Sequence, residues 1–189
     1  MPSYADPGYF EQLYVADPDP WRFATSDYER QKYAATVEAV PQGRSARVFE
    51  VGCSIGVLTR QLAANCDEML AVDVSQTALE QAEERCEDLP WVNFEKMDVR
   101  TEWPDGRFDL ILFSEVLYYL GLEGIQQAAR RSLESLSPHG AIMLVNWHGP
   151  TDCACSGDEA AELFIAACRP RLAPTRQERA EKYRLDVLR

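Results

Sequence analysis

"VFEVGCSIGVLT", residues 48–59, carries two incompatible readings. Gly52-Cys53-Ser54-Ile55-Gly56 matches G-x-S-x-G, the nucleophile elbow of α/β-hydrolases. The same residues follow a short apolar run and open a helical pattern, the setting of a nucleotide-binding loop. An elbow requires an acid and then a histidine downstream, and an earlier loop that supplies a second oxyanion donor. His139 and His148 are the only histidines. His139 sits in Pro138-His139-Gly140, just before an apolar run, at the wrong end of a strand; His148 follows that run. No HGGG-like segment precedes Gly52. The loop reading demands an acidic residue closing the next strand about 20 residues on, placed to accept from ribose hydroxyls. Asp73 closes "MLAVD" 21 residues after Gly52. The dinucleotide spacing G-x-G-x-x-G is absent, because Ser54 and Val57 stand at its second and third glycine positions. That argues against a dinucleotide-dependent oxidoreductase.

Outward from the loop, apolar runs alternate with helical patterns. Strands are expected at "ARVFEVG", "EMLAVDVS", "VNFEKMD", "FDLILFSEV" and "AIMLVNWH", and two more within residues 173–189. Helices are expected over "VLTRQLAANC", "QTALEQAEERCE" with Ser75 as N-cap, "LEGIQQAARRSLESL" and "GDEAAELFIAACR". In the third of these, Leu122, Ile125, Ala129, Leu133 and Leu136 share one face, and Pro138-His139-Gly140 ends it. Ser26-Asp27-Tyr28-Glu29 reads as a capping box opening a helix over about 27–40, which stops before Pro41-Gln42-Gly43. The Pro- and Asp-rich residues 1–25 read as an ordered arm, because Tyr9, Phe10, Tyr14, Trp21 and Phe23 favour burial. Strand–helix alternation predicts an α/β fold, a Rossmann-like, mostly parallel seven-stranded sheet with helices on both faces. Residues 1–40 form an arm and capping helix, and 41–189 the core of one domain.

With 19 Lys plus Arg against 31 Asp plus Glu, the formal net charge is −12. Such a surface repels phosphate backbones and argues against nucleic acid. No run approaches a membrane span, no signal peptide is evident, and the six cysteines show no disulfide framework. A cytoplasmic protein is expected. Cys153-Ala154-Cys155 after His148 falls short of a four-ligand metal set, so no metal is expected and the segment reads as a substrate-side loop.

An acid two residues before the first glycine, the five-residue G-x-x-x-G loop and Asp73 together resemble class I S-adenosylmethionine methyltransferases. "EVGCSIG", "FDLILFSEVLYYL" and "ADPDPWRFATSDYERQKY" resemble the nodulation protein S (NodS) family and its close bacterial relatives, over roughly residues 6–145. The tail from "NWHGPTDCACSGDEAAELF" departs from that family and is more similar to relatives found beside sugar N-deacetylases. The resemblance implies that Glu50, Gly52, Cys53 and Gly56 shape the loop around S-adenosylmethionine, whose product is S-adenosylhomocysteine. It implies that Asp73 and Val74 hold the ribose, that Asp98 and Val99 hold the adenine, and that Trp21 and Arg30 cover the cofactor. Ser114 and Glu115 would face the transferable methyl, followed by Tyr118 and Tyr119. Glu115 and His148 are candidates to take the acceptor's proton. The implied acceptor is a small molecule, an amino sugar or chitooligosaccharide amine. O-methylation, a non-catalytic binding module and the oligomeric state stay open.

Overall fold

The apolar runs become strands because their β-branched and aromatic side chains alternate between two faces that are both covered. The computed structural model describes residues 6–41, 43–169 and 171–189. Strands β1 (Ser45–Val51), β2 (Cys66–Asp73), β3 (Val92–Lys96), β4 (Phe108–Ser114) and β5 (Leu136–Trp147) are parallel. Strands β6 (Pro174–Arg179) and β7 (Tyr183–Leu188) form an antiparallel hairpin, and β7 pairs antiparallel with β5. The order is β3-β2-β1-β4-β5-β7-β6. It reverses between β1 and β4, the switch point beyond whose carboxyl ends such sheets bind ligands.

On one face, Phe49, Val72, Ile111 and Phe113 pack against Ile125 and Leu133 of α5 (Gly121–Ser135) and Phe164 of α6 (Gly157–Cys168). On the other, Val48, Met69, Leu112 and Val145 pack against Tyr33 of α2 (Asp27–Ala39) and Leu58 and Leu62 of α3 (Val57–Leu62). Each large apolar side chain buried this way contributes about 1.5–3 kcal/mol. Helix α4 (Gln76–Arg85) starts at Ser75, whose Oγ accepts from the Ala78 N–H. Helix α6 has a full capping box between Ser156 and Glu159. Helix α2 has only half of the expected one. Ser26 Oγ accepts from the Glu29 N–H at 3.4 Å, but the Glu29 carboxylate turns inward to Lys32, and the Ser26 N–H goes to the Arg22 carbonyl.

The ordered arm contains a helix, α1 (Pro7–Ala16), started by Asp6, whose side chain accepts from the Gly8 N–H. Three expectations are corrected. The helix after Gly56 yields to a short 3-10 turn at residues 63–65, because Cys66 already belongs to β2 and Arg44 ties down the carbonyls of Ala64 and Cys66. Leu122 lies in the first turn of α5 and is 54% exposed. Pro138-His139-Gly140 does not separate helix from strand, since β5 begins at Leu136. His139 takes a left-handed φ of 67°, and the β4–β5 register jumps from Phe108↔Leu136 to Leu110↔Ala141. Of the Pro41-Gln42-Gly43 stop, Gln42 lies outside the described residues.

Candidate active site

Over the switch point lies a cleft of about 600 Å³, within the range of about 300–1,000 Å³ usual for small-molecule sites. Its floor is made by strand ends: Gly52 after β1, Asp73 and Val74 after β2, Asp98 and Val99 after β3, Ser114 and Glu115 at the end of β4, and Trp147 closing β5. Its roof is the arm, with Tyr9, Phe10, Tyr14, Trp21 and Phe23, and the start of α2, with Tyr28, Glu29 and Lys32. The arm's aromatics wall the cleft, and Tyr14 and Phe23 also pack with Ile55 and Ala78 in a small core beneath the arm. Tyr14 is buried and Trp21 is 37% exposed, and Trp21 stacks on Phe23 and meets Tyr14 edge-on.

The β1–α3 loop needs its glycines. Gly52 and Gly56 both have φ of 77°, which glycine alone adopts without strain. A Cβ on Gly52 would lie 2.2 Å from Val116 Cγ2, and one on Gly56 2.9 Å from the Ala82 backbone. Ser54 is also left-handed, with φ of 51°. Its N–H donates to Asp73 Oδ2 at 2.9 Å, and the Ser75 N–H donates to Oδ1 at 3.0 Å. The carboxylate is thereby fixed in orientation on the cleft floor. Burial pushes the Asp73 carboxyl up, while the N–H groups of Ser75, Ser54 and Val74 pull it down. Ser54 Oγ meets the Tyr14 hydroxyl and no histidine, which removes the hydrolase elbow.

Glu50 is buried beneath the loop, where it accepts from Thr59 Oγ1 at 2.6 Å. Burial pushes its carboxyl up to about 7 against the pull of Thr59. Cys53 packs against Ala71 and Leu79, and burial raises its thiol. Glu50, Cys53 and Gly56 therefore support the loop from below and do not line the cleft. Asp98 does line it, in a chelate with Arg100: Nε lies 2.9 Å from Oδ1 and Nη2 2.7 Å from Oδ2. The Arg100 guanidinium holds the Asp98 carboxyl below its ordinary range.

The β4–β5 side is a network around Glu115. Its backbone is left-handed, with φ of 59°. Such a conformation costs a non-glycine residue about 1–3 kcal/mol and is usual where function imposes it. Glu115 Oε1 accepts from Lys32 Nζ at 2.6 Å. Oε2 accepts from the Tyr118 hydroxyl at 2.8 Å and from the Trp147 N–H at 2.7 Å. Lys32, 2% exposed, also donates to Glu29 Oε1 at 3.1 Å and lies under the Tyr28 and Tyr33 rings. Among the described residues the buried Tyr28 hydroxyl has no hydrogen-bond partner. Burial and the charges of Glu115 and Glu29 push it well above the ordinary tyrosine range.

Two expected site residues lie elsewhere. Arg30 points into solvent and pairs with Asp27 at 2.8 Å. His148 Nε2 lies 3.0 Å from the Ala180 carbonyl, and its N–H donates to the Lys182 carbonyl, so it joins β5 to the β6–β7 hairpin. Neither lines the cleft. Residues missed in the sequence are Tyr28, Glu29, Lys32 and Trp147. A signal existed for two of them: the buried stripe of α2 is Glu29, Lys32, Tyr33, Thr36 and Ala39, at helical spacing. Two charges on a buried stripe mark a functional or paired position. Cys153 lines the rim, its N–H bound to Thr151 Oγ1, and among the described residues no cluster could hold a metal ion.

A family model described as nodulation protein S (NodS) matches residues 10–168. Nodulation protein S of Rhizobium tropici is 32% identical over 131 residues, 68% of this chain and 55% of its own length. That of Bradyrhizobium diazoefficiens is 36% identical over 123 residues, 65% of this chain and 59% of its own. The chain thus spans less than two thirds of these curated relatives. The crystal structure of N-methyltransferase NodS from Bradyrhizobium japonicum WM9 with S-adenosyl-L-homocysteine superimposes with a TM-score of 0.82 at 21% identity, covering 97% of each chain. That likeness shows the same fold.

Proposed function

The chain belongs to the nodulation protein S (NodS) family, and from that membership we propose that it transfers a methyl group from S-adenosylmethionine to the free amine of an amino sugar or chitooligosaccharide. The observation that carries this reading is one cleft with two chemically different halves on either side of the β1/β4 switch point. The β1–β2–β3 half fits the adenosyl group. Asp73 presents a carboxylate held in one orientation to a ribose diol, Gly52 offers bare backbone, and Met97 and Val99 offer apolar surface for a ring. Asp98 would reach the adenine amino group while keeping Arg100. S-adenosylmethionine supplies there a methyl group on a sulfonium, already a good leaving group.

The β4–β5 half then has to hold an amine in line with that methyl and take up its proton. Glu115 is the residue for both tasks, and Tyr118 and Trp147 give it an aromatic surround on which a sugar packs. Aromatic faces attract a cationic amine by about 0.5–2 kcal/mol. The Bradyrhizobium japonicum relative is itself named an N-methyltransferase, which supports nitrogen as the acceptor. All six cysteines are unpaired, which suits a reducing cytoplasm. No described helix is long and apolar enough to cross a membrane.

The test is incubation with S-adenosylmethionine and a partly deacetylated chitooligosaccharide, read by mass spectrometry. A methyl group should appear only on oligomers with a free amine, since an amide nitrogen is a poor nucleophile. Equal methylation of the fully acetylated control would move the acceptor to a hydroxyl. Methylation of neither, with normal S-adenosylhomocysteine binding, would remove the amino sugar.

A further inference from the structure

Glu115 draws its partners from three separate parts of the chain: Lys32 on α2, Tyr118 after β4 and Trp147 at the end of β5. An ionised carboxylate has about four lone-pair sites. Tyr118 and Trp147 fill both on Oε2, and Lys32 takes one on Oε1. One acceptor position is left, on Oε1, beside the lysine.

Lys32 is the less expected partner. A lysine buried to 2% exposure loses its hydration, and the Tyr28 and Tyr33 rings replace part of it. On the same stripe Tyr33 and Ala39 pack with the sheet and α3, and Thr36 Oγ1 donates back to the Lys32 carbonyl. Glu29, one helical turn before, neutralises the lysine: Lys32 Nζ lies 3.1 Å from its Oε1 and 2.9 Å from its Oε2. Lys32 thus bridges two carboxylates, one a turn away on its own helix and one at the end of β4. The pairing also overrides the capping box that Ser26 and Glu29 would otherwise form.

We propose that Lys32 is a positioning residue for methyl transfer: it locks the Glu115 carboxylate so that its single open lone pair meets an N–H of the acceptor amine. The proposal rests on the amine-acceptor reading above. Lys32 itself touches neither the amine nor the methyl; it acts through Glu115, and Glu29 acts through Lys32.

The test uses Lys32→Met, which removes the ammonium with little loss of volume, and the double variant Glu29→Gln/Lys32→Met, which leaves no stranded carboxylate on α2. Both should bind S-adenosylhomocysteine as the wild type does. Both should lose turnover of a partly deacetylated chitotetraose by roughly 10²-fold, the usual cost of a misplaced catalytic group. Lys32→Arg, which can bridge the same two carboxylates, should recover part of that loss. A second readout needs no acceptor. In protein labelled with ¹³C at glutamate Cδ, the Glu115 signal, assigned by its disappearance in Glu115→Gln, should shift in Lys32→Met. An unchanged signal or an unchanged turnover in the folded variants overturns the role of Lys32. A shifted signal in a protein whose wild type methylates no amine overturns the amine reading instead, and reduces Lys32 to a structural ion pair.

Discussion

At the scale of single residues, two carboxylates in neighbouring strands do different work because their surroundings differ. Asp73 is held in one orientation by backbone N–H groups on the cleft floor, which suits it to bind a diol. Asp73→Ala should weaken S-adenosylhomocysteine binding by about 1.5–3 kcal/mol, the worth of hydrogen bonds to a charged group; calorimetry reads this directly, and unchanged affinity would remove Asp73 from the site. Glu50 lies beneath, and burial raises its carboxyl from the ordinary 4.5 to about 7. A carboxyl raised in the fold contributes stability that is full below its unfolded value and is lost as pH climbs through its folded value. The window is therefore about pH 4.5 to 7. Glu50→Gln keeps an acceptor for Thr59 without a charge. It should leave thermal stability near wild type at pH 5 and raise it at pH 8, by up to about 2–3 kcal/mol. The same gain at both pH values would show that charge is not the cause. Asp73 was legible in the sequence because its role follows from a spacing along the chain. The contact of Lys32 with Glu115 was not, since 83 residues separate them and only the fold brings them together.

At the scale of elements, the arm is joined to the core through the start of α4. Glu11 on α1 accepts from Ser75 Oγ and Thr77 Oγ1, both at 2.7 Å, and these bonds hold its carboxyl below the ordinary range. Its negative charge also suits the N-terminal end of a helix. Phe10 meets Tyr119 edge-on, and the Tyr14 hydroxyl meets Ser54 Oγ, so α1 is tied down along its length. Glu11→Ala should speed amide hydrogen exchange across Pro7–Ala16 while β1 and β4 stay protected, and should loosen S-adenosylhomocysteine several-fold, as roof residues are lost. Uniform loosening of the whole chain would contradict this picture. Helix α1 was not drawn from the sequence, which indicated only an ordered arm; it starts at the Asp6 cap. The two-face strands and the Ser75-capped helix were readable because their patterns are local. The premature start of β5 was not, since its pairing with Phe108 is set by β4.

At the scale of the whole molecule, a net charge of −12 surrounds a cleft proposed to receive an amine. Attraction over distance should raise the encounter rate of a cationic sugar, and salt should screen it. The specificity constant for a deacetylated oligomer should fall as ionic strength rises, faster than for any uncharged acceptor; a flat salt dependence would mean that the surface charge plays no part in capture. The mostly parallel sheet and the cleft's position beyond the carboxyl ends of its strands followed from alternation, because α/β topology leaves few choices. The acceptor half did not, because it is assembled from the arm, β4 and the stretch after β5. That assembly also bears on biosynthesis. A ribosome adding about 5–20 residues per second needs roughly 4–17 s to lengthen the chain from Lys32 to Glu115, 83 residues on. Through that interval α2 carries Lys32 and Glu29 without the Glu115 carboxylate that later meets the lysine. Stalled chains that end before residue 115 should be cut readily by protease within residues 27–39, and chains released at full length should resist.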